Sequence, residues 1–321
     1  MNKILTVILC LLLASSCFTS SDKKNRDKFE LALVLFDQEK YDDAILHLDT
    51  LLLQSPANEV VWCLKGRSLF ANGDEIEGIE ALNKAIAING SYHSAYKYRA
   101  LMKSLQENSN YEETISDFEV ALNEYPTDTI LALNRAIFSV KKRHFKDAKK
   151  ALNYVLELDS GNYSAQLMIA SVTGKLGNNI SALKRLNEII HRQDSFESSA
   201  FEERAFVYME LEKFDSAVSD YNTILERSNL FVEYPVLKAY TINNLGYAQY
   251  KAGDVSEGLE NINTAIDLEP TNPYAYKNRA EVLISQKKVA DGCLDLQKAK
   301  ELGFANLYGH EVDNLIIQYC E

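Results

Sequence analysis

The chain has 321 residues, enough for one large domain or two ordinary ones, and 46% of them are apolar, which excludes global disorder. Its formal net charge of −12 argues against a nucleic-acid binder, because phosphate is repelled and no basic stripe offsets the charge. Only five Pro and 13 Gly occur beside abundant Leu, Ala, Glu and Lys, a composition that favours helices.

The N-terminus reads MNKILTVILCLLLASSC, with Lys3 the sole charge before Asp22. A basic start, an apolar run (residues 4–13) and the small residues Ala14, Ser15 and Ser16 make the pattern of a secretory signal. The run is about half the ~20 residues a membrane-spanning helix requires. LASSC (13–17) resembles the lipobox of bacterial lipoproteins, in which a cysteine after small residues is acylated and becomes the mature N-terminus. One departure is that the bulky aliphatic Leu13 stands four, not three, before the cysteine. The resemblance implies that residues 1–16 are removed, Cys17 is lipidated and 17–24 form a tether. It places the protein in the cell envelope, lipid-anchored at the outer membrane and facing the periplasm. Each buried acyl methylene contributes about 0.8 kcal/mol to such an anchor.

Beyond the tether, small residues recur at Ala32, Gly66, Ala100, Ala136, Ala170, Ala205, Gly246 and Ala280, spaced by 34, 34, 36, 34, 35, 41 and 34. A second small set follows at Ala44, Gly78, Thr114, Ala148, Ala182, Ala217, Gly258 and Gly292. Helical periodicity surrounds them: Ala44, Leu48 and Leu51 stand at i, i+4 and i+7. ANGD (71–74), KLGN (175–178) and KAGD (251–254) read as turns between paired helices. Small side chains at these places let two helices cross at about 8–10 Å. Pro56, Pro126 and Pro270 close three of the pairs. Seven additional residues fall within SNLFVEYPVLK (228–238), where Pro235 fits the first turn of one lengthened helix.

This pattern resembles the tetratricopeptide repeat family, a 34-residue helix–turn–helix with small residues at the eighth and twentieth positions; Trp62 occupies the family's tryptophan position. The resemblance implies an all-α fold, an α-solenoid of eight repeats at 25–58, 59–92, 93–128, 129–162, 163–197, 198–231, 239–272 and 273–306. It also implies a groove lined by the first helix of each repeat, with the fifth, ninth and twelfth positions pointing inward. In the first three repeats these include Phe29, Leu33 and Phe36, then Cys63, Arg67 and Phe70, then Lys97 and Leu101. In the last three they include Glu202, Phe206 and Met209, then Asn243, Tyr247 and Tyr250, then Lys277. About half are expected to pack between repeats rather than meet a ligand. No three neighbouring repeats supply the lysine, asparagine and arginine set with which some members clamp a carboxylate tail, so the groove reads as apolar and aromatic.

The tail YGHEVDNLIIQYC (308–320) reads as one amphipathic helix, within a capping segment over 307–321, with Val312, Leu315, Ile316 and Tyr319 on its apolar side. Cys293 begins the last repeat's second helix and Cys320 ends the cap; a disulfide between them and two separate buried cysteines both fit. Chemistry has no motif: HExxH, GxxxxGK[ST] and CxxC are absent, and the carboxylates scatter over helix faces that read as solvated. No catalytic residue, metal site or cofactor is therefore assigned. The expectation is a non-catalytic scaffold or adaptor that binds proteins or peptides. Its alternatives are a carbohydrate or peptidoglycan binder using Tyr240, Tyr247, Tyr250 and Tyr274, and a hydrolase sited in the groove.

Overall fold

The computed structural model describes residues 23–192, 198–228, 231 and 234–321, without the side chains of 306 and 307. Cys17 and the signal segment lie outside the described residues. The described chain is helical throughout its regular structure, and every long-range layer is helix on helix. It divides into two compact units, one ending at Ala165 and the other beginning at Gln166.

In the N-terminal unit the helices pair as α1 (Lys23–Asp37) with α2 (Tyr41–Gln54), and α3 (Glu59–Asn72) with α4 (Glu75–Ile88). Then come α5 (His93–Leu105) with α6 (Tyr111–Glu124), and α7 (Thr129–Lys141) with α8 (Phe145–Leu158). The helix α9 (Tyr163–Lys175) contains the division between units. The C-terminal unit continues with α10 (Asn179–Arg192), the pair α11 (Ser198–Glu210) and α12 (Phe214–Arg227), the pair α13 (Pro235–Ala252) and α14 (Val255–Leu268), and the pair α15 (Pro273–Ser285) and α16 (Val289–Glu301). Two short helices, α17 (Phe304–Tyr308) and α18 (Glu311–Tyr319), close the chain.

Local chemistry sets the helix starts. Asn58 accepts from the N–H groups of Val60 and Val61, Asn110 from Glu113 and Asp128 from Leu131, so orphan donors at α3, α6 and α7 are met by side-chain caps. Pro235 opens α13, which runs for 18 residues as the position of that proline predicts. The turn inside a repeat requires a left-handed residue. Gly73, Gly177 and Gly253 supply it in the turns read from sequence, but Glu39, Arg143, Glu212 and Lys287 adopt φ of 55 to 65° at the same place in four others. No glycine flags those four turns, so the sequence pattern passes over them.

All sixteen small residues of the repeat pattern are buried. The closest crossings carry glycine on both sides. A Cβ on Gly66 would stand 2.7 Å from the Gly78 carbonyl oxygen, and one on Gly246 would stand 2.6 Å from that of Gly258. Even alanine overfills these two seams, whereas elsewhere Ala–Ala pairs suffice, as at Ala136 and Ala148.

The cap differs from the single helix expected. Gly309, at φ 90°, breaks it into α17 and α18. Val312 is buried against Leu296, Ala299 and Phe304, with Leu315 and Ile316 packed beside it, but Tyr319 remains 42% exposed and covers nothing. Three of the four expected residues thus reach the core from α18. Cys293 and Cys320 are joined by a disulfide that ties α16 to the end of α18; Cys63 is buried.

Candidate functional site

The carboxylates are not all on solvated faces. Asp117, Asp220 and Asp295 are buried, and each accepts two hydrogen bonds from one arginine: Arg99 at 2.6 and 2.7 Å, Arg204 at 2.6 and 2.8 Å, Arg279 at 2.7 Å twice. A third donor of each guanidinium reaches back to an asparagine of the preceding repeat, Asn83, Asn187 or Asn263. Every planar fork is thereby consumed, tying a helix hairpin to the helix before it. Sequence reading missed this device, although its signal is regular: the asparagine stands 16 or 17 residues before the arginine, and the aspartate 16 or 18 after. Charges so engaged are structural.

The expected groove residues fall into three groups. Phe29, at 3% exposure, is a core residue among Ala32, Leu48, Leu51, Val61 and Leu64, and its assignment to the groove is corrected. Asn243 borders a hollow in the C-terminal unit but is 1% exposed: its amide accepts from Asn278 and donates to Asn244, an amide chain between α13 and α15. Lys277, also expected in the groove, is 3% exposed, because α18 carries Glu311 to 2.8 Å from its Nζ while Glu281 lies at 2.6 Å. Burial alone would depress its pKa; the two carboxylates outweigh burial and raise it. The cap partner could not be found from the repeat register.

A second group is spent on packing or internal pairing. Leu33 and Phe36 lie against the first core, Phe70 against Leu82 and Met102, Met209 against Tyr221, and Tyr250 against Ile262; Leu101 is half-buried. Arg67 sits between the rings of Phe36 and Tyr98, its guanidinium carbon 4.6 and 4.3 Å from their centroids. Lys97 binds Asp128 at 2.5 Å. Burial would raise the Asp128 pKa, but this ammonium and the Leu131 N–H hold it below the usual carboxylate range. Tyr247 donates to Glu281 at 2.8 Å and lies under Lys277, and burial with that carboxylate pushes its hydroxyl pKa upward. As stacking platforms, Tyr247 and Tyr250 are therefore already occupied.

The third group is free. Phe206 on α11 is 46% exposed and lines a hollow of about 490 Å³ in the C-terminal unit. Its walls include Glu202 beside Phe206, Leu237 and Tyr240 on α13, Tyr274 on α15 and Tyr308 on α17, with Asn243 at the boundary. Leu237, Tyr240 and Tyr308 are 45%, 38% and 50% exposed, so the rim is apolar and open. Glu202 is the fifth residue of its repeat and Phe206 the ninth, one turn apart on a single stripe. Burial first, and Glu203 second, raise the Glu202 pKa. Among the described residues no hydrogen bond or ion pair reaches its carboxylate. A more open hollow runs along α10, lined by Ile180, Leu183, Lys184, Glu188 and Leu211. No group of three His, Cys, Asp or Glu residues among the described ones is placed to hold a metal ion.

Helix hairpins of this length, crossing at paired small residues, define an all-helical repeat protein of the α-solenoid class. Residues 29–93 and 243–302 match the tetratricopeptide repeat family model. Over those residues the chain carries tetratricopeptide repeats. It is 25% identical over 298 residues to a TPR repeat-containing protein of Methanocaldococcus jannaschii, covering 82% of this chain and 48% of that one. The chain thus spans about half the length of this curated relative. Its fold is similar to a tetratricopeptide repeat protein from Parabacteroides merdae (TM-score 0.57, 16% identity, 92% of this chain and 99% of that one). It is also similar to a chain of the Cut9–Hcn1 hetero-tetramer of APC/C (TM-score 0.57, 16% identity, 95% and 57%).

Proposed function

We propose that this chain is a non-catalytic scaffold, anchored through a lipid on Cys17 in the cell envelope, that holds a protein partner on the face built by the first helices of its repeats. The observation that carries the reading is the open apolar rim of Phe206, Leu237, Tyr240 and Tyr308 around one hollow. Contiguous exposed apolar surface of this kind marks interaction sites in soluble domains. Aromatic anchors in a hollow suit an extended segment or an amphipathic helix. The fold relative in the Cut9–Hcn1 hetero-tetramer belongs to a protein assembly, which accords with a scaffold role. Lipid attachment confines the encounter to a membrane, at the outer membrane facing the periplasm in this reading.

Photo-crosslinking from position 206 in intact cells, followed by mass spectrometry, is expected to trap a protein. The same probe at Leu46, on a second helix of the other unit, should trap much less. Equal, non-selective labelling from both positions would refute the scaffold reading. For the anchor, Cys17→Ser should move the chain from the membrane to the soluble fraction, and unchanged membrane retention would refute lipidation.

A further inference from the structure

Three features of the C-terminal unit go beyond a generic apolar surface. First, the hollow places a carboxylate among aromatic walls: Glu202 faces the same space as Phe206, Tyr240, Tyr274 and Tyr308. Secondly, that carboxylate lacks a counter-charge among the described residues, and the nearby Arg204 is already paired with Asp220 and bonded to Asn187. Thirdly, the protein meets the same chemical situation elsewhere with its own cations. In the N-terminal unit Arg67 fills the space between Phe36 and Tyr98. In the C-terminal unit Lys277 lies over Tyr247 and Tyr274 with Glu281 and Glu311 to balance it. In the Glu202 hollow Tyr274 already carries Lys277, but among the described residues no cation lies over Phe206, Tyr240 or Tyr308 and none pairs with Glu202.

We infer that this hollow takes an arginine side chain from an apolar stretch of a protein partner, the guanidinium pairing with Glu202 and lying against the aromatic wall. This rests on the scaffold reading and names the chemistry of its partner. A guanidinium fits better than an ammonium because it is planar, weakly hydrated and stacks on rings while presenting two parallel donors to a carboxylate. The volume of about 490 Å³ exceeds one side chain, leaving space for an apolar neighbour against Leu237 and Phe206. Lys277 does not repel the guest, since two carboxylates already neutralise it. An arginine without apolar flanks would leave the rim wet and gain little.

The test uses the full chain carrying Cys17→Ser, panned against random peptides displayed on phage. Enriched peptides should hold an arginine between apolar residues. In fluorescence anisotropy, replacing that arginine by citrulline, its neutral isostere, should weaken binding about ten-fold or more. Glu202→Gln in the protein should do the same, and the two changes together should cost little more than either alone. Glu202→Gln should not lower the melting temperature, so a lost interaction is not misread as lost folding. Peptides that bind as well with citrulline, that prefer lysine, or that ignore Glu202→Gln would overturn the arginine site while leaving a scaffold. Failure to enrich any peptide, with no partner crosslinked from position 206, would remove the scaffold reading and this inference together.

Discussion

The two units handle charge near aromatic rings in opposite ways. In the N-terminal unit Arg67 fills its own aromatic sandwich and Lys97 is bound by Asp128, so the first-helix stripe is internally settled. In the C-terminal unit Lys277 is settled even more deeply, but one turn of α11 presents Glu202 and Phe206 to a hollow with no partner for the carboxylate among the described residues. The same repeat geometry therefore builds a closed surface in one place and an open site in another. The difference lies in what stands at the facing position and in the lengthened α13 and the cap, which bring Leu237, Tyr240 and Tyr308 to the hollow.

The comparison is sharpest where the units share a device. Asp117→Ala and Asp220→Ala each remove the buried carboxylate that a half-buried arginine grips bidentately and should cost about 3 kcal/mol by chemical denaturation. A loss below about 1 kcal/mol in either would show that the tie is ornamental in that unit. Reduction of Cys293–Cys320, which closes a separation of 27 residues, should destabilise the C-terminal unit by about 3 kcal/mol. Hydrogen exchange on α18 should report it, and unchanged protection would mean the cap holds by packing alone. Ala136→Leu overfills a seam in the N-terminal unit and Ala205→Leu one in the C-terminal unit; each should cost about 1–3 kcal/mol. An unchanged melt would refute the helix register.

Smaller effects follow. Glu202→Gln should raise stability at neutral pH, because the folded chain holds that carboxyl above its ordinary pKa of 4.5 through burial and Glu203. The sign is that of a raised acid: the penalty is full above the folded pKa and vanishes as pH falls below 4.5. The gap between variant and parent melting temperatures should therefore close on acidification, with the buried Tyr221 nearby staying neutral throughout. A gap that widens in acid would contradict the burial argument. Arg143→Gly, relieving a left-handed residue at φ 62°, should stabilise by up to about 1 kcal/mol.

Much of the architecture is written in one dimension. Helix pairing, repeat length and the seams at Ala136, Gly246 and their equivalents follow from periodicity, because a crossing of two helices tolerates only small side chains at fixed intervals. The first turn of α13 at Pro235 follows from the fixed φ of proline. Tertiary structure alone decided which stripe residues remain available. Phe29, Asn243 and Lys277 occupy the fifth position of their repeats, equivalent to that of Glu202, yet neighbouring helices and the cap bury them. Periodicity specifies the direction of a side chain on its own helix. What stands opposite, whether Glu311 over Lys277 or no cation among the described residues at Glu202, depends on residues far along the chain and on the break at Gly309 in the cap.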